Sequence, residues 1–98
     1  AGQVDDVQRQ AYIKRHFAAC SRAMDNGVDV RGYFIWSLMD NFEWAFGYER
    51  RFGITHVDYT SQVRTPKHSA HALKDFLQAA SLDGPFTSAP TSAPSCEL

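Results

Sequence analysis

Three side chains in one short stretch have the chemistry to hold a small polar ring: Trp36, Glu43 and Trp44. A pyranose presents an apolar face and a rim of hydroxyls. An indole can pack under the face, while a carboxylate and an indole N–H partner the rim. Residue types alone do not decide this, because clusters of Trp, Phe and Tyr more often build cores. What separates this stretch from a core is its interleaving. Asp40, Asn41, Glu43, Glu49, Arg50 and Arg51 are mixed with Phe42, Trp44, Phe46 and Tyr48. Residues 38–51 follow neither a period of 2 nor one of 3.6, so they read as an ordered loop.

Such a loop needs elements to hold it. Upstream, Asp5 or Asp6 can cap a helix and favours its dipole. Val7, Ile13, Phe17, Cys20 and Met24 then recur at helical spacing, and Tyr12, His16, Ala19 and Ala23 widen that face. Asn26-Gly27 is a left-handed stop. Residues 28–38 follow, with Tyr33, Phe34, Ile35 and Trp36 in a row. Apolar on both faces, residues 30–37 are predicted to form a strand buried on both sides. Trp36 stands at its C-terminal end. Downstream, residues 52–58 suit a short strand or turn, with Asp58 able to cap a turn, and residues 60–62 suit a turn. Thr65-Pro66 predicts a helix start, with a capping hydroxyl before a proline at the first helical position. Ala70, Leu73, Leu77 and Ala80 form that helix's stripe with Phe76 alongside, and Gly84-Pro85 closes it. Residues 87–94 repeat TSAP, a polar, proline-rich pattern that predicts disorder. The chain thus divides into residues 1–84 and a tail, residues 85–98.

A lone strand apolar on both faces cannot satisfy its backbone groups without neighbours. The order of helix, buried strand, long loop and helix therefore reads as a slice of a larger α/β protein. An eight-fold βα barrel is the natural parent, because its sites sit on loops after strands.

Composition narrows the partners. The 98 residues carry a net charge of −1, with 44% hydrophobic and 21% charged residues. With no basic stripe, nucleic acid and anionic membrane surfaces are poor partners. No apolar run approaches the roughly 20 residues of a membrane span. The first ten residues are too polar for a signal peptide, so a cytoplasmic location is expected. The absence of an initiator Met suggests a processed chain or a fragment. Of the 2 cysteines, Cys20 reads as a buried thiol and Cys96 as a tail thiol. His68 and His71 could share a helix face but have no third ligand nearby, so surface histidines are expected and no metal site. His16 and His56 read as hydrogen-bonded structural groups. Oligomeric state is left open.

The stretch Trp36-Ser37-Leu38-Met39-Asp40-Asn41-Phe42-Glu43-Trp44-Ala45-Phe46-Gly47-Tyr48, followed by Arg51-Phe52-Gly53-Ile54, closely resembles glycoside hydrolase family 1, the β-glucosidase family. The family pattern there is W-S-L-x-D-N-F-E-W-x-x-G-Y-x-x-R-F-G. Val57-Asp58-Tyr59 resembles its V-D-Y segment, and Arg64-Thr65-Pro66-Lys67 its R-x-P-K-x-S segment. Asp6, Arg9, Tyr12 and His16 match its D-x-x-R-x-x-Y-x-x-x-H helix. The resemblance implies the C-terminal part of a TIM (β/α)8 barrel, namely helix 7, strand 8 and helix 8, incomplete in this chain. It also implies hydrolysis of terminal non-reducing β-D-glucosyl residues with retention, on a β-glucoside or oligosaccharide, with no metal or organic cofactor. Position by position, Trp36 would underlie the non-reducing-end sugar. Glu43 would accept from the hydroxyls on carbons 4 and 6, and Trp44 would donate to the 3-hydroxyl. Phe52 would line the pocket near the 6-position. Relatives that cleave phosphoglycosides lack this glutamate, so Glu43 implies unphosphorylated substrates.

Retaining glycosidases need a pair of carboxyl groups about 5–5.5 Å apart. The family supplies them from N-E-P and T-E-N-G motifs, and neither motif occurs here. The glutamates are Glu43, Glu49 and Glu97. Glu43 is spoken for, Glu49 beside two arginines reads as a solvated or paired charge, and Glu97 lies in the tail. No catalytic residue is therefore assigned, and the isolated chain is expected to be inactive. The alternatives are a non-catalytic carbohydrate-binding module and a piece that complements a separate chain bearing the rest of a barrel.

Overall fold

The structure is a computed structural model that describes residues 3–82. Helix α1 spans Val7–Asp25, and a long loop containing one 3-10 turn at Trp44–Phe46 leads to strand β1, Thr55–Val57. Strand β2, Arg64–Pro66, pairs antiparallel with β1, setting Thr55 opposite Pro66 and Val57 opposite Arg64. Helix α2, His68–Leu82, follows. The expected tail of residues 85–98 and the stop at Gly84-Pro85 lie outside the described residues.

The two helices close on one small core. Ile13 and Phe17 are its buried centre, with Cys20, Met24, Tyr33, Ile35, Ile54 and Leu73 packed around them. Phe17 meets Tyr33 edge-on at 4.9 Å and Phe76 of α2 at 4.9 Å. Fully burying such a side chain contributes roughly 1.5–3 kcal/mol. The predicted stripe of α1 therefore holds from Ile13 to Met24. Val7 departs from it: it is 63% exposed. The α2 stripe of Ala70, Leu73, Leu77 and Ala80 is half-buried as expected. Cys20 is disulfide-bonded, against the expectation of a thiol, and Cys96 lies outside the described residues.

The α1 stop is read correctly from Asn26-Gly27. Gly27 has φ +95, its N–H donates to the Met24 carbonyl, and the Val28 N–H reaches back to Ala23. This is the Schellman pattern that a left-handed glycine permits.

The helix starts differ from expectation, and for one reason. Asp6 occupies the N-cap position of α1 yet makes no side-chain cap bond there. Its carboxylate instead crosses to α2, accepting from the Ser69 backbone N–H at 2.9 Å and from the Ser69 hydroxyl at 2.5 Å. The His68 N–H donates to the Val4 carbonyl. Helix α2 thus begins at His68, its first-turn donors met by the chain's own start. Pro66 sits in β2, before the helix.

The predicted strand at residues 30–37 carries no strand pairing in the structure. Its period survives, however. Tyr33 and Ile35 are half-buried against the helix core and Ser37 is half-buried beside Met39 and Asn41, while Phe34, Trp36 and Leu38 face outward, Phe34 at 95% exposure. The alternation is that of a strand, but a strand's pairing needs a second backbone, and residues 30–36 have none among the described residues. Only its far end finds one. Ser37 N–H donates to Phe52 O, Ile54 N–H to Ser37 O and Thr55 N–H to Leu38 O, with a parallel bridge between Met39 and Thr55.

That junction is tight enough to demand glycine at position 53. A Cβ there would lie 2.3 Å from the Asp40 backbone nitrogen and 2.3 Å from the Met39 carbonyl carbon. Backbone cannot yield as a side-chain tip does, so G53A is expected to cost about 1–3 kcal/mol or more. The open site at Gly27, which requires only its left-handed φ, should cost about 1 kcal/mol as G27A. Thermal melts followed by circular dichroism check the order, and a G53A melt equal to wild type contradicts the packing described.

Candidate functional site

The outward end of residues 30–38 delivers Trp36 to the start of the loop. The Trp36 Nε1–H donates to both carboxylate oxygens of Glu43, at 3.1 and 3.2 Å. The two sequence-identified residues are therefore in direct contact. Glu43 is 4% exposed and Trp36 65% exposed. The carboxylate sits in a walled position, and the indole face lies open beside it. The Trp36–Ser37 peptide is cis.

Trp44 follows in a tight turn. The Glu43 N–H donates to Gly47 O at 2.7 Å, and the Phe46 N–H donates back to Glu43 O at 2.9 Å. Gly47 has φ +57 and Trp44 itself φ +52. A bulky residue in the left-handed region is an outlier that persists only where its surroundings impose it. The turn holds the Trp44 side chain outward, 77% exposed. Phe52 joins through the backbone. Its carbonyl accepts from the Ser37 N–H, next to Trp36, and its ring is 39% exposed. Trp36 and Phe52 also line a cleft of about 770 Å³ with Arg9, Tyr12 and Tyr33. Glu43 and Trp44 are not part of that wall, so the cleft lies on the α1 side of Trp36.

Asp40 holds the loop in place, a role its position in the sequence did not reveal. It is 3% exposed. Its Oδ1 accepts from the Gly53 N–H at 3.1 Å and from Lys67 Nζ at 3.0 Å. Its Oδ2 accepts from Arg51 Nη1 at 2.8 Å and from the Val57 N–H at 3.3 Å. One carboxylate thus ties residues 38–52 to β1 and to the residue before α2. Burial would raise its pKa, but the bonds from Lys67 and Arg51 outweigh that and hold it below the ordinary 3.8. Burial pushes the Lys67 ammonium the other way, below its ordinary value, despite the opposing pull of Asp40. Arg51 also donates to Val57 O at 2.8 Å and lies over the Tyr59 ring at 4.2 Å. Asn41 shapes the same backbone, donating to Met39 O at 2.8 Å and Ser37 Oγ at 3.2 Å.

The upstream helix reaches this site through Arg9. Its guanidinium pairs with Asp6 at 3.1 Å and donates to Arg51 O at 2.7 Å. Burial opposes ionisation of Asp6, but Ser69 and Arg9 prevail and its pKa is lowered. The remaining candidates have local roles. Asp58 caps the hairpin turn, accepting from the Thr60 and Ser61 N–H groups, which lower its pKa. His16 bonds Tyr12 O at 2.8 Å and stacks on the Tyr12 ring at 3.9 Å. His68 pairs with Asp5 at 3.0 Å. Among the described residues, no group of three or more His, Cys, Asp or Glu is placed to hold a metal ion.

Comparison with known proteins adds the relatives. The family model described as glycosyl hydrolase family 1 matches residues 1–81. A bifunctional β-D-glucosidase/β-D-fucosidase from Bifidobacterium breve is 57% identical over 74 residues, covering 76% of this chain and 16% of that protein. β-Glucosidase 47 of Arabidopsis thaliana is 51% identical over 74 residues, covering 76% of this chain and 14% of its own length. Among solved structures, a psychrophilic β-glucosidase from Micrococcus antarcticus superposes with a TM-score of 0.75 at 57% identity, covering 76% of this chain and 16% of that one. A Thermotoga maritima β-glucosidase in complex with cyclophellitol gives 0.74 at 44% identity, covering 76% and 17%. The chain therefore spans about a sixth of the length of the relatives it matches.

Acid should dismantle the site from its buried carboxylates. Asp6 and Asp40 both titrate in the fold below their ordinary 3.8. Their ionised forms contribute stability that is complete above that value and is lost as pH falls through the lowered folded values. Unfolding followed by circular dichroism should set in below about pH 4, and a D40N chain should already be weakened at neutral pH. Removing one partner of a buried ion pair costs about 3–5 kcal/mol. Stability that stays flat to strongly acid pH, or a D40N melt equal to wild type, contradicts the network.

Proposed function

Because the chain belongs to glycosyl hydrolase family 1, we propose that it supplies the glycone-binding subsite of a retaining β-glucosidase and not its catalytic pair. In this reading it corresponds to helix 7, strand 8 and helix 8 of a (β/α)8 barrel. The observation that carries the proposal is the contact between Trp36 and Glu43. An open aromatic face beside a buried, hydrogen-bonded carboxylate suits a hexose, which is flat and apolar on one side and rimmed with donors. Glu43 accepts from the hydroxyls on carbons 4 and 6. Trp44, turned outward, donates to the 3-hydroxyl, and Phe52 borders the 6-position.

The chemistry step needs carboxyl groups that this chain lacks. Asp40 and Asp6 are already engaged by cations and backbone donors. Glu43 is committed to binding, and Glu49 is exposed. Double displacement through a covalent glycosyl-enzyme therefore draws its nucleophile and acid/base from elsewhere in a complete barrel. Glu43 also sets the substrate class. A carboxylate facing a 6-phosphate would repel it, so unphosphorylated β-glucosides are preferred.

A second reading, a piece that complements a barrel borne on another chain, draws on the exposed face. Phe34 and Leu38, on either side of Trp36, are 95% and 68% exposed. Contiguous apolar surface of this kind marks a contact surface. This reading is compatible with the first, since the subsite would act only once that face is covered.

Co-expression with a family 1 barrel truncated of its matching C-terminal segment tests both. Hydrolysis of an aryl β-glucoside should appear in the assembly and not in the purified 98-residue chain. Charge-assisted hydrogen bonds contribute about 1.5–3 kcal/mol, so E43Q should lower kcat/KM by roughly tenfold to a hundredfold. Turnover by the chain alone, indifference to E43Q, or preference for 6-phosphoglucosides would overturn the reading.

A further inference from the structure

The Trp36–Glu43 contact has a geometry beyond what stacking needs. A platform for a sugar requires the face of the indole, and its edge could point anywhere. Here the edge N–H is aimed between the Glu43 oxygens, nearly equidistant at 3.1 and 3.2 Å. Glu43 is 4% exposed, and among the described residues its carboxylate has no other donor. A buried carboxylate with a single protein donor takes its orientation from that donor.

We propose that the indole N–H of Trp36 is a positioning group for Glu43, so that platform and rim acceptor act as one unit. This rests on the glycone-subsite reading for its functional consequence, although the bond itself does not. By occupying the bisector between the oxygens, the N–H blocks the side on which one ligand group could bridge both. Each oxygen then keeps an outward lone pair. Two separate hydroxyls, one per oxygen, fit that arrangement, and a single forked donor such as a guanidinium does not. The unit therefore favours a diol edge over a cationic ligand, with the ring plane fixed relative to it by Trp36 itself. Phenylalanine at position 36 would keep an aromatic face and lose the orientation.

Two measurements test this. In the full chain labelled on tryptophan nitrogen, the indole N–H signals of Trp36 and Trp44 are assigned with W44F. E43Q replaces a charged acceptor by a neutral one, so the Trp36 indole proton should move upfield while that of Trp44 stays. An unchanged Trp36 signal overturns the proposal. In the complemented barrel, W36F, E43Q and the double variant form a cycle on an aryl β-glucoside. W36F should lower kcat/KM by about tenfold alone, the scale of one charge-assisted hydrogen bond. In the E43Q background it should lower it only a few-fold, because the group it positioned is gone. Additive losses overturn the proposal. An assembly indifferent to E43Q would instead sink the subsite reading, and the indole shift would still report whether the N–H bond exists.

Discussion

A carboxylate cut off from water must find donors within the protein, and Asp40 finds them on the returning arm of the loop, on β1 and just before α2. Its acceptors are filled by Gly53 N–H, Val57 N–H, Arg51 and Lys67. Among the described residues nothing else joins so many separate pieces at one point. The loop emerges at Trp36, turns through Glu43 and Trp44, and returns at Phe52. Asp40 lies inside that path and holds both arms. Satisfying one carboxylate thus fixes where Trp36 and Glu43 meet. Lys67 is wholly buried for this purpose, a cost that only a close, fully bonded counter-ion can offset.

A second carboxylate repeats the logic at the helix starts. Asp6 could have capped its own helix, and it caps the other one instead, through Ser69. Arg9 then extends the tie from Asp6 to Arg51 O. The two networks meet at Arg51, which bonds Asp40 with its side chain and receives Arg9 on its carbonyl. The apolar core is small, centred on Ile13 and Phe17. Much of the specificity of the arrangement therefore comes from buried polar ties, while Phe34, Trp36 and Leu38 stay exposed.

Where signals were local, the sequence could be read directly. The Asn26-Gly27 stop, the α2 stripe and the Asp58 turn follow from residues close in the chain. Trp36 and Glu43 were singled out by residue type and spacing, and the structure brings them into contact. The errors are non-local. Asp6 looks like a cap of the helix it precedes, since nothing nearby announces Ser69. Pro66 looks like a helix start because the pull of β1 on Arg64–Pro66 is a pairing across the hairpin. Residues 30–37 show a strand's alternation without its pairing, because pairing belongs to the partner as much as to the strand. Asp40 carries no role in the sequence reading beyond that of an interleaved charge, although Arg51 and Gly53 stand in the same motif. The signal was present in that motif, as an acid, a base and a glycine close together in the chain.

The claim on which the rest turns is that Glu43 recognises a hydroxyl of the hexose rim beside Trp36. Its most direct measurement compares an aryl β-glucoside with its 4-deoxy analogue, in the assembled barrel with and without E43Q. If Glu43 receives the 4-hydroxyl, deleting that hydroxyl lowers kcat/KM in the wild-type assembly and lowers it much less in E43Q. An equal loss in both would contradict the account, because the hydroxyl would then be held by some other group.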